Sequence, residues 1–225
     1  MSLEMAADFA DAVRLVAADA EVRAVVLTGE GEAFSAGGDL GELARQTSWS
    51  GERIREHMGA FYRSFLSVMD LPVPTVAAVG GAAIGAGLAL ALACDIRYAR
   101  AGARVGTTYI NIGLFPGMGA THLLPYHVGH GEGARMLLTG EVMAAEKAPA
   151  GLFTAVVPRE DVLPRALATA REIARKSPSA VRMMKDVLRR RMKEGLEAAL
   201  DAEALAQSVS FRSEEMRRAF GAKEA

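Results

Sequence analysis

With Cys94 as its one cysteine, the sequence excludes an internal disulfide and fits a reducing compartment. An excess of one charge is also missing. Twenty-six Lys and Arg stand against 27 Asp and Glu, a net charge of −1, so no domain-wide field favours nucleic acid or an anionic membrane. The N-terminus carries Glu4, Asp8 and Asp11 where a signal peptide would be basic and then apolar, which predicts a cytoplasmic protein. There is no GxSxG elbow, no GxxxxGK phosphate loop, and no His, Cys and Asp at metal-ligand spacing, so no metal site is predicted. Internal repeats and low-complexity tracts are absent too. With 225 residues, 51% of them hydrophobic, the chain can bury a sizeable core, as one domain or as a domain with a helical appendage.

What the sequence does have is an apolar stretch, Leu71 to Cys94, closed by Asp70 and Asp95 and free of charge between them. Its length suits a membrane span, but Pro72 and Pro74 at its start and Gly80, Gly81, Gly85 and Gly87 in its middle argue against one. The same pattern predicts a buried strand over 74–79, a tight turn over 80–85 and a buried helix over 86–93. A glycine-rich turn feeding a helix presents unpaired backbone N–H groups at one point, where developing negative charge is favoured. Alternatively, the glycines serve only close packing of strand on helix. A second such place is AFSAGGDL, residues 33–40, where Gly37-Gly38 turns the backbone and Asp39 is set to cap a helix, or simply to punctuate a loop.

Elsewhere, an amphipathic helix capped by Ser2 is predicted over 2–20 and a buried strand over 22–28. A polar excursion over 41–50 reads as a potential lid, before a second helix that reaches Met69. His57 in that helix reads as a solvated surface residue. Strands are expected over 95–99, 104–107 and 152–157. A glycine- and proline-rich turn is expected over 109–119, and helix over 120–138 broken near 129–133. A turn with a short helix is expected over 140–148. From Val162 strand signals cease, and Arg189-Arg190-Arg191 reads as a solvated helix face. Gly85-Ala86-Gly87 imitates the start of a dinucleotide fingerprint, but Leu90 stands where its third glycine belongs.

Taken together, VRAVVLTGEGEAFSAGGDL (22–40), PTVAAVGGAAIGAGLALALACDIRYA (74–99), NIGLFPGMGATHLLP (111–125) and the helical tail resemble the crotonase (enoyl-CoA hydratase/isomerase) family. The resemblance implies an α/β fold: a spiral of ββα units over 1–160 with a helical C-terminal region over 161–225 that builds homotrimers or hexamers. It implies acyl-CoA substrates, coenzyme A being part of the substrate and no cofactor bound covalently. The thioester oxygen would rest in an oxyanion hole made by the N–H groups of Gly38 and Ala86. Ala36, Asp39 and Leu40 would contact coenzyme A, with Phe220 and Lys223 near a neighbour's coenzyme A entrance.

The departures from the family pattern are equally specific. Hydratases of the family place glutamates where this sequence has Ala89 and Tyr109, and some isomerases, dehalogenases and hydrolases place an aspartate where it has Gly117. Two family strands that precede the first helix have no counterpart in this sequence. Tyr109 becomes the leading candidate for a proton donor or positioning group, or else an aromatic pocket residue. The resulting expectation is an acyl-CoA lyase or isomerase, isomerase- or decarboxylase-like rather than an ordinary hydratase. The alternative is a non-catalytic acyl-CoA-binding or assembly subunit. A spiral-fold peptidase resembling Clp would need a serine after the Gly85–Gly87 turn, and none follows.

Overall fold

The computed structural model describes residues 1–220. After α1 (Leu3–Ala18), whose first turn is capped by Ser2 Oγ accepting from Met5 N, the chain winds as a spiral. Each turn lays one strand in each of two sheets. β1 (Val25–Thr28) and β2 (Ala33–Ser35) lead through α2 (Leu40–Gln46) and α3 (Gly51–Leu66). β3 (Thr75–Val79) and β4 (Ala82–Ile84) follow, then α4 (Ala86–Leu92), β5 (Ile96–Arg100) and β6 (Arg104–Gly106). A 3₁₀ turn over Thr108–Ile112, α5 (Ala120–Val128) and α6 (His130–Thr139) precede β7 (Val142–Ala144) and β8 (Ala155–Val157). The first sheet, ordered β1-β3-β5-β8, is wholly parallel; the second is ordered β2-β4-β6-β7, with β7 antiparallel to β6. This is the ββα spiral that the motifs imply.

The apolar stretch lies at the centre of both sheets. β3 is buried along its whole length because it is covered on two faces, as parallel strands are. Val76 and Ala78 meet Val162, Ala166 and Ala170 of α7 (Arg159–Ala174), while Ala77 and Val79 enter the larger core. Continuous burial removes the alternation that an exposed sheet face would show. Among the described residues no helix is long and apolar enough to cross a membrane.

The expected turn over 80–85 needs correction, since it contains β4. Three small residues suffice for a strand when β2 and β6 complete its hydrogen bonding on both sides. Gly81 passes so close to β2 that a Cβ there would overlap Glu32 O. β2 and β7 likewise form inside segments read as loop or turn, and the polar excursion over 41–50 contains α2. The first strand begins at Val25 rather than Val22. The expected division between residues 160 and 161 falls in the first turn of α7, which covers the first sheet. The later helices are α8 (Pro178–Lys193), α9 (Leu196–Ser210) and α10 (Glu214–Ala219).

α8 ties both ends of the apolar stretch. Lys185 Nζ lies 2.6 and 2.7 Å from the two carboxylate oxygens of Asp95, and Lys193 Nζ lies 2.6 Å from Asp70 Oδ1. Arg189, read as part of a solvated face, donates to Asp70 O and pairs with Asp186.

A second polar knot joins α4 to α5. The Arg97 guanidinium, buried beneath β5, donates to Leu152 O at 2.8 Å, Cys94 O at 2.6 Å and His127 Nδ1 at 3.2 Å. Because guanidinium only donates and a carbonyl only accepts, His127 carries its proton on Nε2, 2.9 Å from Leu92 O. Burial first, and the Arg97 charge second, push the His127 pKa down to about 4. In the unfolded chain this imidazole takes up its proton near pH 6.5, whereas the folded chain resists until about pH 4. Stability is therefore expected to fall as pH drops through that window, by about 3 kcal/mol from this group. Urea unfolding at pH 7.5 and 4.5 checks it: His127→Gln should lose less stability than the parent over the same interval. An equal loss in both proteins would remove His127 as the cause.

Candidate active site

The two glycine-marked places converge on one cleft of about 710 Å³, part of it open to solvent. Gly37 takes φ +94°, a conformation that L side chains rarely adopt, and a Cβ on it would lie 2.8 Å from Ile84 O and 3.7 Å from Ala86 N. The Gly37-Gly38 loop is thus seated directly against the start of α4. Gly85 precedes α4 with φ +55° and faces the Tyr109 ring, 3.6 Å from where its Cβ would sit. Gly87 has the packing role instead, since a Cβ there would overlap Ser35 O. Close packing thus accounts for Gly87, whereas Gly37 and Gly85 shape the turns that border the cleft.

Neither Gly38 N nor Ala86 N donates to a protein acceptor among the described residues, while their neighbours Gly37 N, Asp39 N and Gly85 N all do. Ala86 opens a helix of only seven residues, so its directed N–H rather than a long dipole is what it offers. Two unspent donors on adjoining loops at an apolar cleft suit an oxygen that gains negative charge.

Tyr109 lines the same cleft and donates its hydroxyl to Gly117 O at 3.1 Å. Burial, and secondarily the Glu203 carboxylate, hold its pKa well above that of an ordinary tyrosine, so it remains a neutral hydroxyl. Ala89, at the other hydratase-acid position, is 1% exposed and packed in the core. At Gly117 a Cβ would overlap the Tyr62 hydroxyl and come within 2.6 Å of Gln207 Nε2. Tyr62 donates to Gln207 Oε1 at 2.6 Å, and Gln207 Nε2 donates to Phe115 O at 2.7 Å. Neutral hydrogen-bonding groups therefore occupy the region where an aspartate on position 117 would point.

Sequence reasoning missed Tyr62 and Gln207, which lie on α3 and α9, far apart in the chain. It also missed Glu203, which accepts from Gly119 N (2.7 Å), Thr121 N (2.9 Å) and Thr121 Oγ1 (2.6 Å), fixing the Gly117–Gly119 turn. One signal for them exists: Glu203 and Gln207 stand four apart on the apolar face of α9, where unpartnered polar groups are costly.

Of the other anticipated contacts, Ala36, Asp39 and Leu40 all line the cleft mouth. Asp39 Oδ1 caps α2 by accepting from Glu42 N at 2.8 Å. Phe220 packs against its own chain's core and does not line this cleft, and Lys223 lies outside the described residues. His57 departs from the expected solvated role: it is half-buried, its Nε2 is 3.1 Å from Gln46 Nε2, and it meets the Trp49 ring edge-on at 4.9 Å.

Comparison with known proteins bears on the family and the fold. The family model described as "Enoyl-CoA hydratase/isomerase" matches residues 1–224. A putative enoyl-CoA hydratase of Thermus thermophilus is 39% identical over 209 residues, covering 92% of this chain and 82% of that protein. A 2,3-dehydroadipyl-CoA hydratase of Escherichia coli is 36% identical over 189 residues, covering 83% and 72% respectively. The crystal structure of an enoyl-CoA hydratase/isomerase from Xanthobacter autotrophicus superposes with a TM-score of 0.90 at 28% identity, covering 98% of this chain and 83% of that one. With its spiral fold, its paired free N–H groups and a family match along almost its whole length, this chain belongs to the enoyl-CoA hydratase/isomerase family.

Proposed function

We propose that the protein binds an acyl-CoA thioester and stabilises its enolate between the N–H groups of Gly38 and Ala86. We further propose that the enolate arises by loss of CO₂ from a 2-carboxyacyl thioester rather than in a hydration. One observation supports this reading: two unspent backbone donors face a cleft in which the family's acid positions hold Ala89, Tyr109 and Gly117. The carboxylates that do line it, Asp39 and Glu42, belong to the cap and first turn of α2, Asp39 Oδ1 being engaged by Glu42 N. Hydration requires a water held and deprotonated, and double-bond isomerisation requires a base that carries a proton between carbons. Decarboxylation requires neither. The bond from the α-carbon to the carboxylate breaks, its electron pair enters the thioester carbonyl, and CO₂ departs. The α-carbon then takes a proton from water, while Tyr109, whose hydroxyl is donated to Gly117 O, positions the acyl group.

Side-by-side turnover of crotonyl-CoA and a 2-carboxyacyl-CoA tests it. Crotonyl-CoA hydration should be at least about tenfold slower than in a relative carrying both glutamates, with CO₂ released from the second substrate. Efficient hydration would overturn the reading. Tight binding without turnover of any substrate would favour a non-catalytic acyl-CoA-binding subunit.

The exposed stripe Met183, Met184, Val187 and Leu188 on α8 supports assembly with further copies of the chain, as a homotrimer or hexamer. Sedimentation is expected to show at least a trimer at micromolar concentration; a monomer would contradict it.

A further inference from the structure

The hydroxyls of Tyr62, Thr108 and Tyr109 all belong to residues that line the cleft, and two of them are spent. Tyr62 gives its proton to Gln207 Oε1, and Tyr109 gives its proton to Gly117 O. Thr108 Oγ1 has no hydrogen-bond partner among the described residues, although the neighbouring Thr107 hydroxyl donates to Met136 O at 2.8 Å. Thr108 is half-buried and its Oγ1 is not sealed from solvent, whereas Gln46 and Gln207 are only 4% and 1% exposed. Water satisfies such a hydroxyl at little cost, so it is available to whatever polar group displaces that water.

Strand pairing fixes where Thr108 stands. Ile84 of β4 pairs with Gly106 of β6, and Gly85 N donates to Gly106 O at 2.9 Å. The segment that leads into Thr108 is thus bonded to the residue before Ala86. Tyr109, the next residue, lays its ring against Gly85. A 2-carboxylate is carried by the carbon next to the thioester carbonyl. With the carbonyl oxygen on Gly38 N and Ala86 N, that carboxylate has to lie in the immediate surroundings of these two turns.

The charges around the cleft define what can receive it. No Lys or Arg side chain lines the cleft, and the ionised Asp39 and Glu42 can only accept. A cation on the departing carboxylate would hold back the charge that has to pass to the thioester oxygen, raising the barrier. A neutral hydroxyl directs the group while holding its charge less tightly.

We infer that Thr108 is a specificity-determining residue, its hydroxyl donating to the 2-carboxylate and selecting 2-carboxyacyl over plain acyl thioesters. This deepens the decarboxylation reading above and rests on it. The test compares the parent with Thr108→Val and Thr108→Ser. One readout is kcat/KM for CO₂ release from 2-carboxypropionyl-CoA. The other is equilibrium binding of propionyl-CoA, the same acyl group without the carboxylate. Thr108→Val keeps the shape and loses the hydroxyl, so kcat/KM should fall by about tenfold, the worth of one hydrogen bond to a charged group, with propionyl-CoA affinity unmoved. Thr108→Ser should recover most of that loss. An unchanged kcat/KM in Thr108→Val would overturn the inference. So would a serine variant as slow as the valine variant, or a valine variant that loses propionyl-CoA affinity by the same factor. Thr108→Ala provides the same comparison where the valine variant does not fold. A parent protein that binds propionyl-CoA yet releases no CO₂ would overturn the decarboxylation reading, and this inference with it.

Discussion

Ala86→Pro is expected to slow enolate-dependent turnover by about 10²–10³-fold, the usual cost of losing one oxyanion donor, while leaving the fold in place. Proline removes the N–H outright. Ala86 is the first residue of α4, the helical position that accepts proline most readily because its N–H has no intrahelical acceptor. Gly38→Ala provides the contrast. A Cβ at Gly38 would meet only the Leu43 side chain, at 3.5 Å, so the N–H and the loop both survive and turnover should stay near the parent value. Thermal melting must accompany both variants. A folded Ala86→Pro protein that turns over a 2-carboxyacyl-CoA at the parent rate would remove Ala86 from the site.

The largest expected stability loss is at Lys185→Met, about 3 kcal/mol. Lys185 is 3% exposed and both Asp95 oxygens lie within hydrogen-bond reach of its ammonium group. Asp95 also accepts from Thr75 N at 2.7 Å and Thr75 Oγ1 at 2.8 Å, which locks the start of β3 to the residue before β5. Removing the lysine leaves a mostly buried carboxylate without its cation. That is more costly than the intact pair is worth against a hydrophobic replacement. The figure lies at the low end for broken buried pairs because the Asp95 side chain keeps 16% exposure and both Thr75 donors. Urea unfolding of Lys185→Met, Asp95→Asn and the double variant checks it. The double variant should lose clearly less than the sum of the singles. A single-variant loss below about 1 kcal/mol would show that Lys185 does not hold the sheet.

The first sheet was legible because its strands carry β-branched and small apolar residues in runs, as strands covered on both faces must. The second was legible only at β6, expected over 104–107. β2, β4 and β7 are also three-residue strands, too short for a period of two to appear, and β4 reads as part of a glycine turn. Their existence depends on neighbours contributed by successive turns of the spiral. The two unspent N–H groups were easier to reach from the sequence: glycines mark both turns, and the family resemblance points to Gly38 and Ala86 within them. The partners of Tyr109 were not, because Tyr62 and Gln207 come from segments far from it in the chain and meet it only in the fold. Gln46 and His57 show the same limit. His57 looked like a surface histidine until α2 packed Gln46 against it.

The most direct measurement of the enolate claim is a turnover of a 2-carboxyacyl-CoA by the parent protein in D₂O, followed by mass spectrometry of the recovered thioester. Two free N–H groups in a cleft that has Ala89, Tyr109 and Gly117 at the family's acid positions predict loss of CO₂ with one deuterium placed at the α-carbon. Recovery of the substrate with its carboxylate intact and no deuterium at the α-carbon, under saturating enzyme, would contradict it.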